Sequence, residues 1–290
     1  MNDMNAERNK PWSLKVGFLV GGGLLLAGVL LQWCIGPVRW AALAWPLNGI
    51  ALAALLVLIV LAYVGRKRVQ ALRFIGTGYA AIPAMTYAVV LTMVMGLVRQ
   101  DSGGKWFAHM LACWPFVLVY VYMAFILGFA VLKRWRRGNM GFVLNHLGLF
   151  VALTTATLGN ADLQRVRMIV GMDQPERRAI TPENTISEMP LAIRLKRFIM
   201  ETYDDGSPKR FASELQIQTE GGKDIEATVD VNKPCKVDGW KIYQYGYDTQ
   251  LGAESRISVL ELVRDPWLPL VYAGICMMLA GAVCMFFNIR

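Results

Sequence analysis

Histidine is scarce in this sequence: only His109 and His146 occur among 290 residues. The five cysteines form no CxxC or CxxCH pair, which argues against a zinc knuckle and against covalent haem attachment to this chain. No Ser/His/Asp constellation, metal-ligand spacing or glycine-rich phosphate loop is present. No internal repeat is visible, which weighs against inverted-repeat transporter folds. Apart from His146, the long apolar stretches hold no clear acidic or basic residue with which a transporter would couple ions.

What the sequence does contain is apolar length. Hydrophobic residues make up 55%, and the charges fall in blocks between long apolar stretches. A helix of about 20 apolar residues matches a roughly 30 Å hydrocarbon core. Six spans are predicted, at about 15–36, 41–65, 75–98, 111–132, 141–160 and 266–288. The first has no clear small-residue cleavage site and is soon followed by a second span, so it reads as a helix rather than a signal peptide.

Basic residues set the expected orientation. Arg8, Lys10 and Lys15 precede span 1, and Arg66, Lys67, Arg68 and Arg73 lie between spans 2 and 3. Lys133, Arg134, Arg136 and Arg137 lie between spans 4 and 5, and Arg290 follows span 6. The opposite loops carry only Arg39, Arg99 and Lys105. The positive-inside rule then puts both termini in the cytoplasm and residues 161–265 outside. The net charge of +9 is explained by these topological clusters and anionic headgroups, not by nucleic acid.

Spans 1 and 2 are joined by the short turn 36–40 and are expected to form an antiparallel hairpin, with Trp33, Trp40 and Trp45 as an interfacial aromatic belt. Pro46 and Pro115 suit first helical turns, whereas Pro83 should kink its helix. The external block alternates apolar and polar residues at 165–170, 191–198, 214–219, 227–231, 240–245 and 257–263. Period two with β-branched and aromatic residues predicts half-buried strands. Turn signals at 204–208, 220–222, 232–234 and 238–239 separate them. The fold class is therefore a polytopic α-helical membrane protein with an antiparallel β-rich domain, a sandwich or open barrel. Its divisions are 1–160 for five spans, 161–265 for the β domain and 266–290 for the sixth span.

An ionisable ring within an apolar span is costly and by default marks a functional site. Imidazole is also a common haem-iron ligand. His146, roughly 8 Å of rise into span 5 from the cytoplasmic side, has two readings. It is either a ligand or a neutral ring hydrogen-bonded to a neighbouring helix. Asn145 beside it is suited to bonding a neighbouring helix or the imidazole. Thr154, Thr155 and Thr157 are expected to bond their own helix carbonyls. His109 precedes span 4 on the outer side, where a solvated role is the simpler reading, and topology separates it from His146. Methionines such as Met85, Met93, Met95, Met277 and Met278 read as packing residues. Cys276 and Cys284 do too, while Cys34, Cys113 and Cys235 have no spacing that assigns a disulfide or redox role. In 239–248 the alternation puts Trp240, Ile242 and Gln244 on one face, as in a structural strand.

Several segments resemble the ResB/CcsB family of type II cytochrome c maturation. They are Asn145-His-Leu-Gly-Leu149 through Leu158-Gly159, Arg165-Val-Arg-Met168, Phe211-Ala-Ser213, Val231-Asn-Lys-Pro234, Gly239-Trp-Lys-Ile-Tyr-Gln244 with Tyr247-Asp248, and Asp265-Pro-Trp267. Their order matches as well: a front group of spans, a large external β domain and a closing span. The resemblance implies a bacterial cytoplasmic-membrane subunit that exports haem b and presents it to apocytochrome c. It implies a CcsA-type membrane partner and, through the β domain, a dock for apocytochrome or a thiol-reducing thioredoxin-like protein. His146 matches the family's in-span axial ligand, and His109 is the weaker candidate. The tryptophan-rich haem-handling motif of the partner half is missing, so the chain is not expected to be an enzyme on its own. The rival readings are a membrane sensor or scaffold and a transporter.

Overall fold

Each predicted apolar run becomes a helix in the structure, a computed structural model that describes residues 12–100, 106–135 and 139–287. The helices are α1 (Leu14–Ile35), α2 (Leu47–Gly65), a short α3 (Gln70–Ile75), α4 (Gly78–Leu97), α5 (Trp114–Arg134), α6 (Met140–Gly159) and α7 (Leu268–Phe286). All but α3 are long and apolar enough to cross a membrane. Their outward faces carry Leu19, Leu26, Leu30, Leu61, Leu97 and Phe286, each more than half exposed, as a lipid solvent permits. Of the basic residues used above, Arg8, Lys10, Lys105, Arg136, Arg137 and Arg290 lie outside the described residues.

Prolines act at the helix ends as predicted. Pro115 occupies the first turn of α5, where its missing N–H costs nothing, and Pro46 caps α2. Pro83 lies inside α4, which continues through it. The hairpin expected of the first two helices is not a packed pair. Instead α1 packs on α4 and α5, and α2 on α5 and α6. The cause is glycine: a Cβ at Gly28 would sit 2.5 Å from Pro115 Cα, and one at Gly17 would sit 2.0 Å from the Tyr79 carbonyl oxygen. These close approaches draw α1 onto α5 and α4 rather than onto its sequence neighbour. Gln32 reinforces this, its Oε1 accepting the Trp114 N–H at 3.0 Å.

Between α6 and α7 the chain forms eight strands. They are β1 (Gln164–Gly171), β2 (Glu176–Ile180), β3 (Ile186–Thr202), β4 (Pro208–Thr219), β5 (Asp224–Asp230), β6 (Cys235–Val237), β7 (Trp240–Tyr247) and β8 (Ile257–Arg264). They make one antiparallel sheet in the order β5-β4-β3-β2-β1-β8-β7-β6. By contacts the chain divides into residues 1–161 with 267–290, and residues 162–266. The alternating residues Met168, Val170, Leu191, Ile193, Leu195, Leu215, Ile217, Ile242, Leu260 and Leu262 share one core. The sheet curls over it, so that Ser213 of β4 donates to Gln244 Oε1 of β7 at 2.6 Å and lies 2.8 Å from Ser258 Oγ of β8. All three side chains are buried, and each satisfies polar atoms that would otherwise be stranded. On the outer face Arg210 of β4 links Glu201 of β3 to Asp230 of β5, holding the Asp230 carboxyl below its usual range.

Trp240 and Ile242 are 4% and 0% exposed, on the core side that the alternation predicts. Trp240→Ala should cost about 3–5 kcal/mol by large-to-small truncation. The indole Nε1 of Trp240 has no hydrogen-bond partner among the described residues. Trp240→Phe keeps most of the volume and removes that stranded donor, so it should cost much less than alanine. Thermal unfolding of the two purified variants checks the order. Equal losses would contradict a packing role.

Candidate functional site

Helix α6 starts from Asn139, whose side-chain oxygen accepts the Phe142 N–H at 3.1 Å, an N-cap that fixes the first turn. The helix then presents three different faces. On the first, Gly141, Asn145, Gly148 and Ala152 meet Gly274, Met278, Gly281 and Met285 of α7 almost backbone to backbone. A Cβ on Gly148 would lie 2.4 Å from the Met278 nitrogen and 2.5 Å from the Gly274 oxygen; one on Gly281 would lie 2.3 Å from the Asn145 nitrogen. Small residues permit this approach, and the antiparallel seam is locked by Asn145 Nδ2 donating to the Met278 carbonyl at 3.1 Å.

The second face carries Val143, Phe150 and Thr154 against α5 and α2. Phe150 packs with Ile59 and Ala124. Tyr120 donates its hydroxyl to the Leu153 carbonyl at 2.6 Å and accepts the Thr157 hydroxyl at 2.7 Å. Asn48 of α2, fully buried, donates to the Leu158 carbonyl at 3.1 Å. Thr154 and Thr155 bond the carbonyls of Phe150 and Val151, each at 2.7 Å, in their own helix. Thr157, expected to do the same, reaches Tyr120 instead.

His146 lies on the third, half-exposed flank with Phe142, Leu149 and Leu153. Its Nδ1 is 2.9 Å from the Phe142 carbonyl one turn earlier. A carbonyl only accepts, so Nδ1 is the donor here, and in a neutral ring the lone pair would then belong to Nε2. No hydrogen-bond partner meets Nε2 among the described residues. The Phe142 ring stacks on the imidazole at 3.7 Å between centroids and 21° between planes, and the Arg134 guanidinium sits 5.3 Å from the far ring's centroid. The bond to a neighbouring helix, the alternative reading of His146, is made by Asn145 instead. A neutral imidazole with one nitrogen pinned and the other open is the form in which histidine ligates a metal. The residue present therefore fits a haem iron: His146 would hold it through Nε2.

His109 does not join this site. It sits in a 3₁₀ turn, Trp106–Ala112, ahead of α5, while α6 follows the other end of α5. A helix of 21 residues separates the two histidines, roughly 30 Å of rise. Among the described residues no group of three or more His, Cys, Asp or Glu gathers. Cys235 is half-buried, and burial pushes its thiol pKa up, away from a reactive thiolate. In the aromatic stretch of β7, Tyr247 is stacked with Phe198 and Phe211 at 4.9 and 5.2 Å, which is core packing. Sequence reasoning passed over Gln32, Asn48 and Tyr120. An amide inside an apolar run was the available signal for the first two.

Residues 133–257 match the ResB-like family, from the last turn of α5 to the start of β8. Two curated proteins named cytochrome c biogenesis protein CcsB are similar. That of Prochlorococcus marinus subsp. pastoris is 31% identical over 39% of this chain and 26% of its own. That of Gloeobacter violaceus is 27% identical over 37% of this chain and 23% of its own. The chain thus spans about a quarter of the curated relatives it matches. A solved structure, Cytochrome c Heme Lyase CcmF, aligns over 96% of this chain and 46% of its own, with 12% identity and a TM-score of 0.38.

Proposed function

Because the chain belongs to the ResB/CcsB family, we propose that it is a multi-pass membrane subunit of cytochrome c maturation. In this reading it helps pass haem b across the cytoplasmic membrane and present it to apocytochrome c, together with a CcsA-type partner. The observation that carries the reading is the state of His146: Nδ1 committed to the Phe142 carbonyl, Nε2 open on a half-exposed flank. The side chains around it position that ring. The Phe142 stack restrains its plane, and Asn145 and Tyr120 hold α6 against its neighbours. Haem, when bound, supplies the iron that this imidazole ligates and the vinyl groups consumed in attachment.

His146 would hold haem from one side only, and the proposed partner would supply the remaining groups that enclose it. Residues 161–265 contain no histidine. With only His109 on the proposed outer side, this chain offers no pair of imidazoles there to hold a haem iron. Its β domain is better suited to docking apocytochrome or a thioredoxin-like reductant. Expressed alone in a strain without its own maturation system, the chain should give no c-type cytochrome. Co-expression with a CcsA-like partner should restore it, read as covalent haem on a CxxCH reporter. Covalent haem from the chain alone would overturn the division of labour.

The proposed orientation has both termini in the cytoplasm and residues 161–265 outside, as the basic clusters dictate. Reporter fusions after Asp101 and within 204–208 should score external, and fusions after Arg68 and Arg137 cytoplasmic. A single reversed site would remove the six-span topology.

A further inference from the structure

Beyond the haem reading, and independent of it, four basic side chains converge on a cleft of about 290 Å³ where α2, α3 and α5 meet. The cleft is lined by Arg66 and Lys67 just after α2, Arg73 of α3, Gly76, and Phe129 and Lys133 of α5. Several of these cations are fixed in place by backbone carbonyls. Arg73 donates to the Arg66 and Lys67 oxygens at 2.9 and 2.8 Å, Arg66 donates to the Tyr63 oxygen and covers the Tyr63 ring, and Lys133 donates to the Gly76 oxygen. Carbonyls orient Arg66 and Arg73 but do not cancel their charge. Between Trp12 and Ala161 the sequence has a single acid, Asp101, and among the described residues no carboxylate pairs with Arg66, Lys67 or Arg73. Like charges held this close repel one another, and an anion in the cleft would relieve that cost.

The surroundings indicate what carries the anion. The buried Phe129 ring forms an apolar wall, and Gly76 lets the turn close down on it: a Cβ there would meet the ring at 2.7 Å. Leu61 and Val64 near the end of α2 and Val69 at the start of α3 are 60%, 65% and 48% exposed, a surface for a hydrocarbon tail. The cleft lies at the ends of apolar helices, at the depth of a headgroup if those helices span a bilayer. Basic pockets between helix ends at this level recognise phosphate headgroups. We propose that this cleft binds the phosphate of an anionic glycerophospholipid, with the acyl chains lying along α2.

Native mass spectrometry of the delipidated full chain in mild detergent, titrated with phosphatidylglycerol or phosphatidylcholine, tests this. Phosphatidylglycerol should bind more tightly, and Lys67→Gln should weaken it about fivefold, the equivalent of the roughly 1 kcal/mol that one basic residue contributes near an anionic headgroup. Arg66→Gln with Arg73→Gln should weaken it further. Should that double variant fail to fold for want of its carbonyl bonds, Lys67→Gln and Lys67→Glu carry the test, since among the described residues no hydrogen bond ties the exposed Lys67 ammonium to the fold. Equal binding of the two lipids, or unaltered phosphatidylglycerol binding by the Lys67 variants, would overturn the site. Inorganic phosphate displacing the lipid at equal concentration would assign the cleft to a free anion and overturn the lipid.

Discussion

If the proposed function holds, His146→Ala is expected to strip the haem absorbance band from a complex purified with the proposed CcsA-type partner while leaving the protein folded. The structural loss is small. His146 is half-exposed, and its one hydrogen bond runs to the preceding turn of its own helix, a contribution of about 1 kcal/mol at most. On the proposed assignment the ligand loss would be large, because no other imidazole stands on this flank, and His109 lies beyond the far end of α5. Added imidazole should refill the vacated position and restore the band, which a packing defect would not allow. Asn145→Ala is the matched comparison: it removes the bond to Met278 and should loosen the α6–α7 seam. If the spectrum and the cytochrome yield of H146A match those of the parent, the ligand assignment fails.

The α6–α7 seam should tolerate no added carbon. Gly148→Ala places a methyl 2.4 Å from the Met278 nitrogen, against backbone that cannot rotate away as a side chain would. The helices must separate, and the cost should be at least the roughly 1–3 kcal/mol typical of overpacking. Gly23 of α1 is a built-in control, since a Cβ there meets nothing within 4 Å. Gly23→Ala should be neutral or slightly stabilising, because alanine favours helix over glycine by about 1 kcal/mol. Thermal unfolding followed by size-exclusion chromatography in detergent separates the two variants. Comparable stability of both would show that the seam has room the structure denies.

The six helices were legible because apolar runs of this length leave few alternatives. Six of the eight strands were legible because their alternation is strong. The two that were missed carry weak signals. β2 reads Glu-Arg-Arg-Ala-Ile, with only Ala179 buried, and β6 has three residues. Neither shows a period. β3 runs 17 residues, through Pro190 and a register shift near Arg197, well beyond the alternating core read at 191–198. At the site, the sequence singled out His146 by its rarity and its apolar setting. It could not reveal which nitrogen was engaged, because that depends on a carbonyl four residues earlier and on the ring's rotamer. Nor could it predict that α1 would leave α2 for α4 and α5, since the glycines that drive this look like ordinary small residues until a partner backbone is opposite them.

The pairing of β1 with β8 has a consequence for how the chain comes to be folded. Gln164 is opposite Arg264 and Gly171 opposite Ile257, so the first strand made is completed by the last. Gly159 likewise waits for Trp267, whose side chain lies 2.4 Å from where its Cβ would be. About a hundred residues separate the members of each pair, and such non-local closures are the slow ones. Until Arg264 has left the ribosome, β1 keeps an unpaired edge, and the glycine face of α6 has no mate until α7 follows. The nascent chain therefore passes through a stage in which both surfaces are open to misassembly, and its yield should depend on how quickly β8 and α7 follow.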